Sequence, residues 1–271
     1  MNAQPPPNVM ARSINDLVRS ETATLVSELR EGGDAAWNAP AFCKGWVAKD
    51  AVVHLIVGNG MFDAALDASL NGTPPAAPDP AQSEARVAGL NAQSREQLLA
   101  QLERQIVEYT NRFDALDAAT LQRPVVLPFT TLPLWQFPGL RLNEAAIHHW
   151  DVRAGRFPDA RITAGVVPYL VGMLVPAMPM LAGGEKVDGT WQLDVDTPTG
   201  GPLTLRVQNG TVQVERGPAP NPDVRLTLDG DAFIRLVWGR LDLAAAIDSG
   251  RVRIEGERER ALALQRLFPG F

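Results

Sequence analysis

Glu144 and His148 stand four residues apart in Arg141-Leu-Asn-Glu144-Ala-Ala-Ile-His148-His149-Trp-Asp-Val-Arg153, a segment holding two of the chain's three histidines. At 3.6 residues per turn their side chains lie one above the other on a helix face. That spacing lets a carboxylate and an imidazole reach one metal ion. The third histidine, His54, ends the run Gly45-Trp-Val-Ala-Lys-Asp-Ala-Val-Val-His54. On a neighbouring helix it supplies a third ligand and leaves a position open to water or substrate. His149 points about 140° away from Glu144 and is left out of the set. Simpler readings stand beside this one. Glu and His four apart also form plain hydrogen-bonded pairs, and a histidine among Ala51, Val52, Val53, Leu55 and Ile56 is also the pattern of a core histidine bonded to a carbonyl.

These residues carry a resemblance. Cys43-Lys-Gly-Trp46-Val-Ala-Lys-Asp50-Ala-Val-Val-His54-Leu is similar to the Cys-Pro-Gly-Trp-Thr-Val-x-Asp-Leu-Val-x-His-Leu stretch of DinB-like metal proteins, and more narrowly of the mycothiol-dependent maleylpyruvate isomerase family. Glu144 to Val152 resembles that family's second signature, Glu-x-x-x-His-x-Trp-Asp-Val, in the same order and at a similar separation. Lys44 stands where the family usually has proline. The resemblance implies a metal held by His54, Glu144 and His148, a low-molecular-weight thiol such as mycothiol, and isomerase or S-transferase chemistry. It also implies an arginine that grips anionic groups of the substrate or thiol adduct. The family's Gly-Arg-x-x-x-x-Gly stretch falls on Gly250-Arg251-Val-Arg-Ile-Glu-Gly256, which makes Arg251 the candidate, with Arg253 second. Arginine's planar fork suits carboxylates, although arginines flanking a short edge strand also simply keep that edge soluble.

The elements that must position these groups begin with helices. Arg12 to Glu31 carries Ile14, Leu17, Val18, Leu25, Val26 and Leu29 at helical intervals and stops at Gly32-Gly33. A second helix is expected from Val47 to about Leu70, then a proline-rich loop over Thr73 to Pro80, then one long amphipathic helix from about Ala81 to Leu116. A fourth helix carries Glu144 and His148. Four helices with facing ligands describe a bundle. Before the fourth lies the apolar, proline-rich stretch Pro124 to Pro138, whose Trp135 and Phe137 either wall a substrate pocket or cap the core.

From about Gly189 the period changes to two, in Trp191–Val195, Leu203–Val207, Val212–Val214 and Val224–Leu228, with Asn209-Gly210 as a hairpin turn. Helical pieces at Asp231–Val237, Leu241–Ile247 and Glu257–Leu267 and a strand at Val252–Ile254 follow. Antiparallel strands followed by helices indicate an α+β domain, and Leu228 to Gly256 resembles a sterol-carrier-like domain. The expected organisation is therefore a DinB-like four-helix bundle over residues 1–158 and a sterol-carrier-like α+β domain over 159–271.

Composition narrows the function. The net charge of −6 and the lack of a basic block argue against nucleic acid. Met1 to Asn8 has neither a positive start nor an apolar run, so no signal peptide is expected. One cysteine excludes an internal disulfide, and Cys43, with no local acid or base beside it, reads as a small structural hydrophobe. The uncharged run from Ile162 to Gly184 contains Pro168, Pro176 and Pro179 and is expected to be a buried helix broken near Pro176, not a membrane span. A cytoplasmic monomer or homodimer acting on a small molecule with a small thiol follows.

Two function classes remain. In the first, a divalent ion activates an external thiol for addition to an electron-poor double bond. Rotation and loss of the thiol isomerise cis to trans, and retention of the thiol gives a conjugate. Two histidines and a carboxylate suit Zn2+ and also accept Ni2+ or Fe2+. The second class is a non-enzymatic binder of a small apolar ligand.

Overall fold

The computed structural model describes residues 6–74, 79–127 and 130–270. The first residues of the expected leaderless start, the middle of the proline-rich loop and Pro128-Phe129 lie outside the described residues. The chain divides into two units, Met1–Thr163 and Ala164–Phe271.

In the first unit, α1 (Pro7–Glu31) begins earlier than the apolar period suggests, because Pro7 occupies the first helical position, where its missing N–H is not needed. A short α2 (Gly33–Trp37) follows, which the apolar pattern did not announce. Helix α3 (Ala48–Asn71) opens with the Val47 N–H donating to Asp50 at 2.9 Å and closes at Gly72, whose φ of 66° suits a left-handed cap. The expected helix over 81–116 is two helices, α4 (Pro80–Asn91) and α5 (Arg95–Asp114). The break is a capping box: the Ser94 N–H donates to Gln97 Oε1 at 2.8 Å and the Gln97 N–H to Ser94 Oγ at 3.3 Å. Satisfying those two donors starts a new helix. The stretch expected as irregular holds two short antiparallel strands, β1 (Pro124–Leu127) and β2 (Thr130–Pro133), before α6 (Phe137–Ala154).

Helix α1 packs on α5 and α6, and α3 packs on the same two helices. One core cluster gathers Leu25, Val52, Ile56, Leu98, Leu102 and Val152; a second gathers Leu66, Tyr109, Phe113, Val125, Leu134 and Phe137. Among the described residues α3 alone is long and apolar enough to cross a membrane, but Val52, Val53, Leu55 and Ile56 account for that apolarity by packing inside the bundle.

In the second unit the uncharged run forms α7 (Val167–Leu181), with Pro176 and Pro179 inside an unbroken helix. Each interior proline costs about 3 kcal/mol. Burial of Leu170, Val171, Leu174, Val175 and Met178, at roughly 1.5–3 kcal/mol each, outweighs both. The sheet runs in the order β5-β4-β3-β6-β7, from β3 (Gly189–Asp196), β4 (Gly201–Gln208), β5 (Thr211–Arg216), β6 (Val224–Asp229) and β7 (Arg253–Gly256). Asn209 and Gly210, with φ of 50° and 75°, join β4 to β5 in a two-residue turn. The sheet is not wholly antiparallel, since β6 lies parallel to β3. Asp223 ties the starts of the two strands together: its Oδ2 accepts the Thr190 N–H at 2.7 Å and its N–H donates to Thr190 O at 2.8 Å. Helices α8 (Gly230–Val237), α9 (Leu243–Asp248) and α10 (Arg258–Leu267) complete the α+β unit, the first two capped by Asp229 and Asp242.

Candidate metal centre

Helix α3 contributes His54, and α6 contributes Glu144 and His148. His54 Nε2 lies 3.3 Å from Glu144 Oε2, and His148 Nε2 lies 3.6 Å from the same oxygen. One ligand atom from each residue falls within 4.8 Å of the others. The two imidazole centroids are 4.5 Å apart, and the Trp46 ring covers both, at 5.4 Å from His54 and 6.0 Å from His148. The His148 side chain is 10% exposed, whereas His54 and Glu144 are 41% and 33% exposed, so the trio is closed behind His148 and open in front. The facing of α3 and α6 brings together residues separated by 90 positions of chain.

Electrostatics bind the three groups to one another. Burial pushes the Glu144 carboxyl up, but hydrogen bonds to His148 and His54 outweigh it and hold it at about 2. Burial pushes His148 down, and contacts with Asp151, Cys43 and Glu144 outweigh that, raising it to about 10. The carboxylate is thus charged at neutral pH and the site is built to hold positive charge against it.

Behind His148 stands a residue that sequence reasoning passed over. Asp151 is fully buried, and its Oδ2 lies 2.9 Å from His148 Nδ1. The Cys43 thiol donates to the same oxygen at 3.4 Å, and the Phe42 N–H donates to the Asp151 carbonyl at 2.9 Å. A carboxylate beside Nδ1 orients the ring so that Nε2 faces Glu144. Cys43 therefore has an acid beside it after all, supplied by α6 from 108 residues away. The signal available was the i, i+3 spacing of His148 and Asp151.

His149 turns to α1, where its Nδ1 is 2.7 Å from Glu21 Oε1 and its Nε2 is 3.3 Å from Glu28 Oε2. Trp135 is half-buried against the second core cluster, while Phe137 is completely buried, with its ring 5.2 Å from Phe62 and 6.4 Å from Tyr109. Of the two loop aromatics, Phe137 occupies the core and only Trp135 keeps surface. In the second unit Arg251 precedes β7 rather than lying on it. Its guanidinium pairs with Asp231 and reaches Asp229 Oδ1 at 3.7 Å. Arg253 is exposed on the edge strand.

Comparison with known proteins places these features in context. A family model described as the mycothiol maleylpyruvate isomerase N-terminal domain matches residues 18–153, and the SCP-2 sterol transfer family matches 182–269. No curated protein sequence matches. Among solved structures, a mycothiol-dependent maleylpyruvate isomerase superposes with a TM-score of 0.64 at 15% identity, over 92% of this chain and 94% of that one. A histidine-to-alanine mutant of that enzyme gives 0.64 at 14% identity over the same shares. YfiT from Bacillus subtilis, described as a probable metal-dependent hydrolase with an unusual four-helix bundle topology, gives 0.47 at 17% identity over 54% of this chain and 85% of that one. At these identities the solved structures speak for the fold.

Proposed function

Because the chain belongs to the mycothiol maleylpyruvate isomerase N-terminal domain family, followed by an SCP-2 domain, we propose that it is a metal- and small-thiol-dependent enzyme, an isomerase or an S-transferase. The observation that carries this reading is the convergence of His54, Glu144 and His148 on one point with an open front. Tetrahedral Zn2+ with bonds near 2.0–2.1 Å needs donors about 3.3–3.4 Å apart, and the contacts to Glu144 Oε2 are 3.3 and 3.6 Å. Two of the three donor pairs thus have the spacing Zn2+ needs, and Ni2+ or Fe2+ accept the same ligands.

His54, Glu144 and His148 would hold the divalent ion, which would supply acidification of a coordinating thiol. The chain's residues do the rest. Asp151 holds the His148 ring so that Nε2 faces forward. Trp46 packs beside both imidazoles, and the exposed edge of His54 admits the thiol and substrate. Trp135 contributes apolar surface to the substrate, an electron-poor unsaturated acid, and mycothiol is the thiol the family favours. Arg251 receives an anionic group of the substrate or adduct in exchange for one of its carboxylate partners. A thiol cofactor must be kept reduced, which fits a cytoplasmic setting.

The test is direct. The purified chain should carry near-stoichiometric Zn2+ or another divalent ion, and cis-trans isomerisation or conjugation of an electron-poor alkene should need both that ion and an added thiol. The SCP-2 match supports a second reading, binding of a small apolar ligand without chemistry. Metal-free protein that binds such a ligand and turns over no alkene with any thiol would establish it.

A further inference from the structure

Arg153 lies on α6 five residues beyond His148, about 7.5 Å further along the helix and about 140° around it. It therefore looks towards α1, as His149 does, and away from the ligand trio. Where the two helices end, Glu28, Glu31 and Gly32 meet Arg153, Arg156 and Phe157 across an open cleft of about 470 Å3. Clefts of roughly 300–1,000 Å3 are the size in which small molecules bind. A Cβ at Gly32 would stand 2.4 Å from Ala36 Cβ and 3.4 Å from Arg156 Nη2, so the bare glycine lets Arg156 lie close over the end of α1.

The two walls of this cleft carry opposite charge, and part of it is unpaired. Glu28 is committed: one oxygen lies 3.3 Å from His149 Nε2 and the other 3.7 Å from Arg153 Nε. Two opposite charges remain. The half-buried Arg156 holds its guanidinium 4.9 Å from the centroid of the Phe157 ring and makes no ion pair or side-chain hydrogen bond among the described residues. The exposed Glu31 accepts the Ser27 hydroxyl at 2.8 Å and likewise meets no cation among the described residues. Arg156 and Glu31 thus face one cleft without pairing to each other. A lone anion entering it approaches Arg156 but also two acids, and a lone cation approaches Glu31 but also two arginines. A ligand carrying both charges a few bonds apart is matched on both walls.

We propose that this cleft is a binding site for a small zwitterion of the α-amino-acid type. Its carboxylate lies on Arg156, with Arg153 beside it, and its ammonium on Glu31. Arginine's fork suits the carboxylate. The ring of Phe157, 47% exposed, offers apolar surface to the ligand's side chain. The site is separate from the His54–Glu144–His148 centre, and nothing in it depends on a metal or a thiol.

L-Phenylalanine is the probe, because its ring suits the exposed aromatic. Its affinity for the full chain is measured by calorimetry for the native protein, Arg156→Gln and Glu31→Gln. Two analogues accompany it: N-acetyl-L-phenylalanine, which lacks the ammonium, and phenethylamine, which lacks the carboxylate. The native chain should bind phenylalanine, and each analogue roughly 10-fold or more weakly. Each substitution should weaken phenylalanine roughly 10- to 100-fold. The losses should also match in kind: Glu31→Gln no longer distinguishes phenylalanine from its N-acetyl form, and Arg156→Gln no longer distinguishes it from phenethylamine. Metal content and Tm should be unchanged in both variants. Should one variant fail to fold, the other and the two analogues on the native chain decide. No binding of phenylalanine by the native chain at millimolar concentration, or undiminished binding in the variants, overturns the site. N-acetyl-L-phenylalanine or phenethylamine binding as tightly as phenylalanine to the native chain overturns the zwitterion assignment.

Discussion

Asp151 Oδ2 sits 2.9 Å from His148 Nδ1, on the opposite side of the ring from the nitrogen that faces Glu144. The imidazole is therefore gripped from behind by a carboxylate with no access to water. Asp151→Asn keeps the shape and removes the charge. Metal affinity, read by competition with a chromophoric chelator, should fall about 10- to 100-fold while the ligands themselves are intact. Native affinity in that variant would mean that Asp151 does not orient the ligand.

His148 and His149 are neighbours with separate duties. His148→Ala should lose most of the bound metal and keep a native circular dichroism spectrum, because the two apolar clusters hold the bundle. His149→Ala should retain the metal and melt at a lower temperature. It leaves Glu21 buried without its closest partner, a loss of about 1–3 kcal/mol or more for a charged group. Metal loss in His149→Ala would reassign the ligand.

The two aromatics before α6 should separate cleanly. Phe137→Ala removes a side chain with no exposed surface and should destabilise the chain by about 3–5 kcal/mol. Trp135→Ala should raise KM with unchanged metal content. A large fall in Tm with unaltered kinetics in Trp135→Ala would make it a cap like its neighbour.

Arg251→Lys tests the second unit. The substitution retains the charge opposite Asp231 and Asp229 but loses the planar fork. Turnover or affinity for an anionic substrate should drop with metal content and Tm nearly unchanged. Full activity in both Arg251→Lys and Arg251→Ala would remove this arginine from the reaction.

Asp63 supplies a pH signature. Burial raises its carboxyl above the ordinary 3.8, against the opposing charges of Arg141 and Arg112. A folded-state value above the unfolded one means that the ionised form is penalised in the fold, so stability is fullest below 3.8 and declines as pH rises through the folded value. Asp63→Asn should therefore melt higher than the native chain at neutral pH, with the gap closing towards pH 3.8. A gap independent of pH would show that charge at this position is not the cause.

How far the residues announced this arrangement depends on the range of the interaction. The Glu144–His148 spacing is local, and a helix converts it into a shared face without outside help. The Ser94-Arg-Glu-Gln97 box was equally local, but the amphipathic segment read from about Ala81 to Leu116 suggested continuity where the capping bonds impose a stop. Alternation marks Val224–Leu228 as a strand and says nothing of its neighbour. That it pairs in parallel with β3 is a contact between distant segments, as is the Asp223–Thr190 bond, 33 residues apart. Asp151 meeting Cys43, and Arg141 lying between Tyr109 and Phe62, are contacts between distant segments of the same kind. Trp135 and Phe137 looked alike in one apolar stretch, and only the packing of Phe62 and Tyr109 around Phe137 tells them apart.

The split of the ligand trio between α3 and α6 has a consequence for the order of events in the protein's life. His54 emerges from the ribosome long before Glu144 and His148, and on its own it is a single weak donor. No ion can be captured until α6 has been made and has docked on α3. If the proposed ion binds there, loading would be a late step, and native affinity for it would report that the bundle has closed.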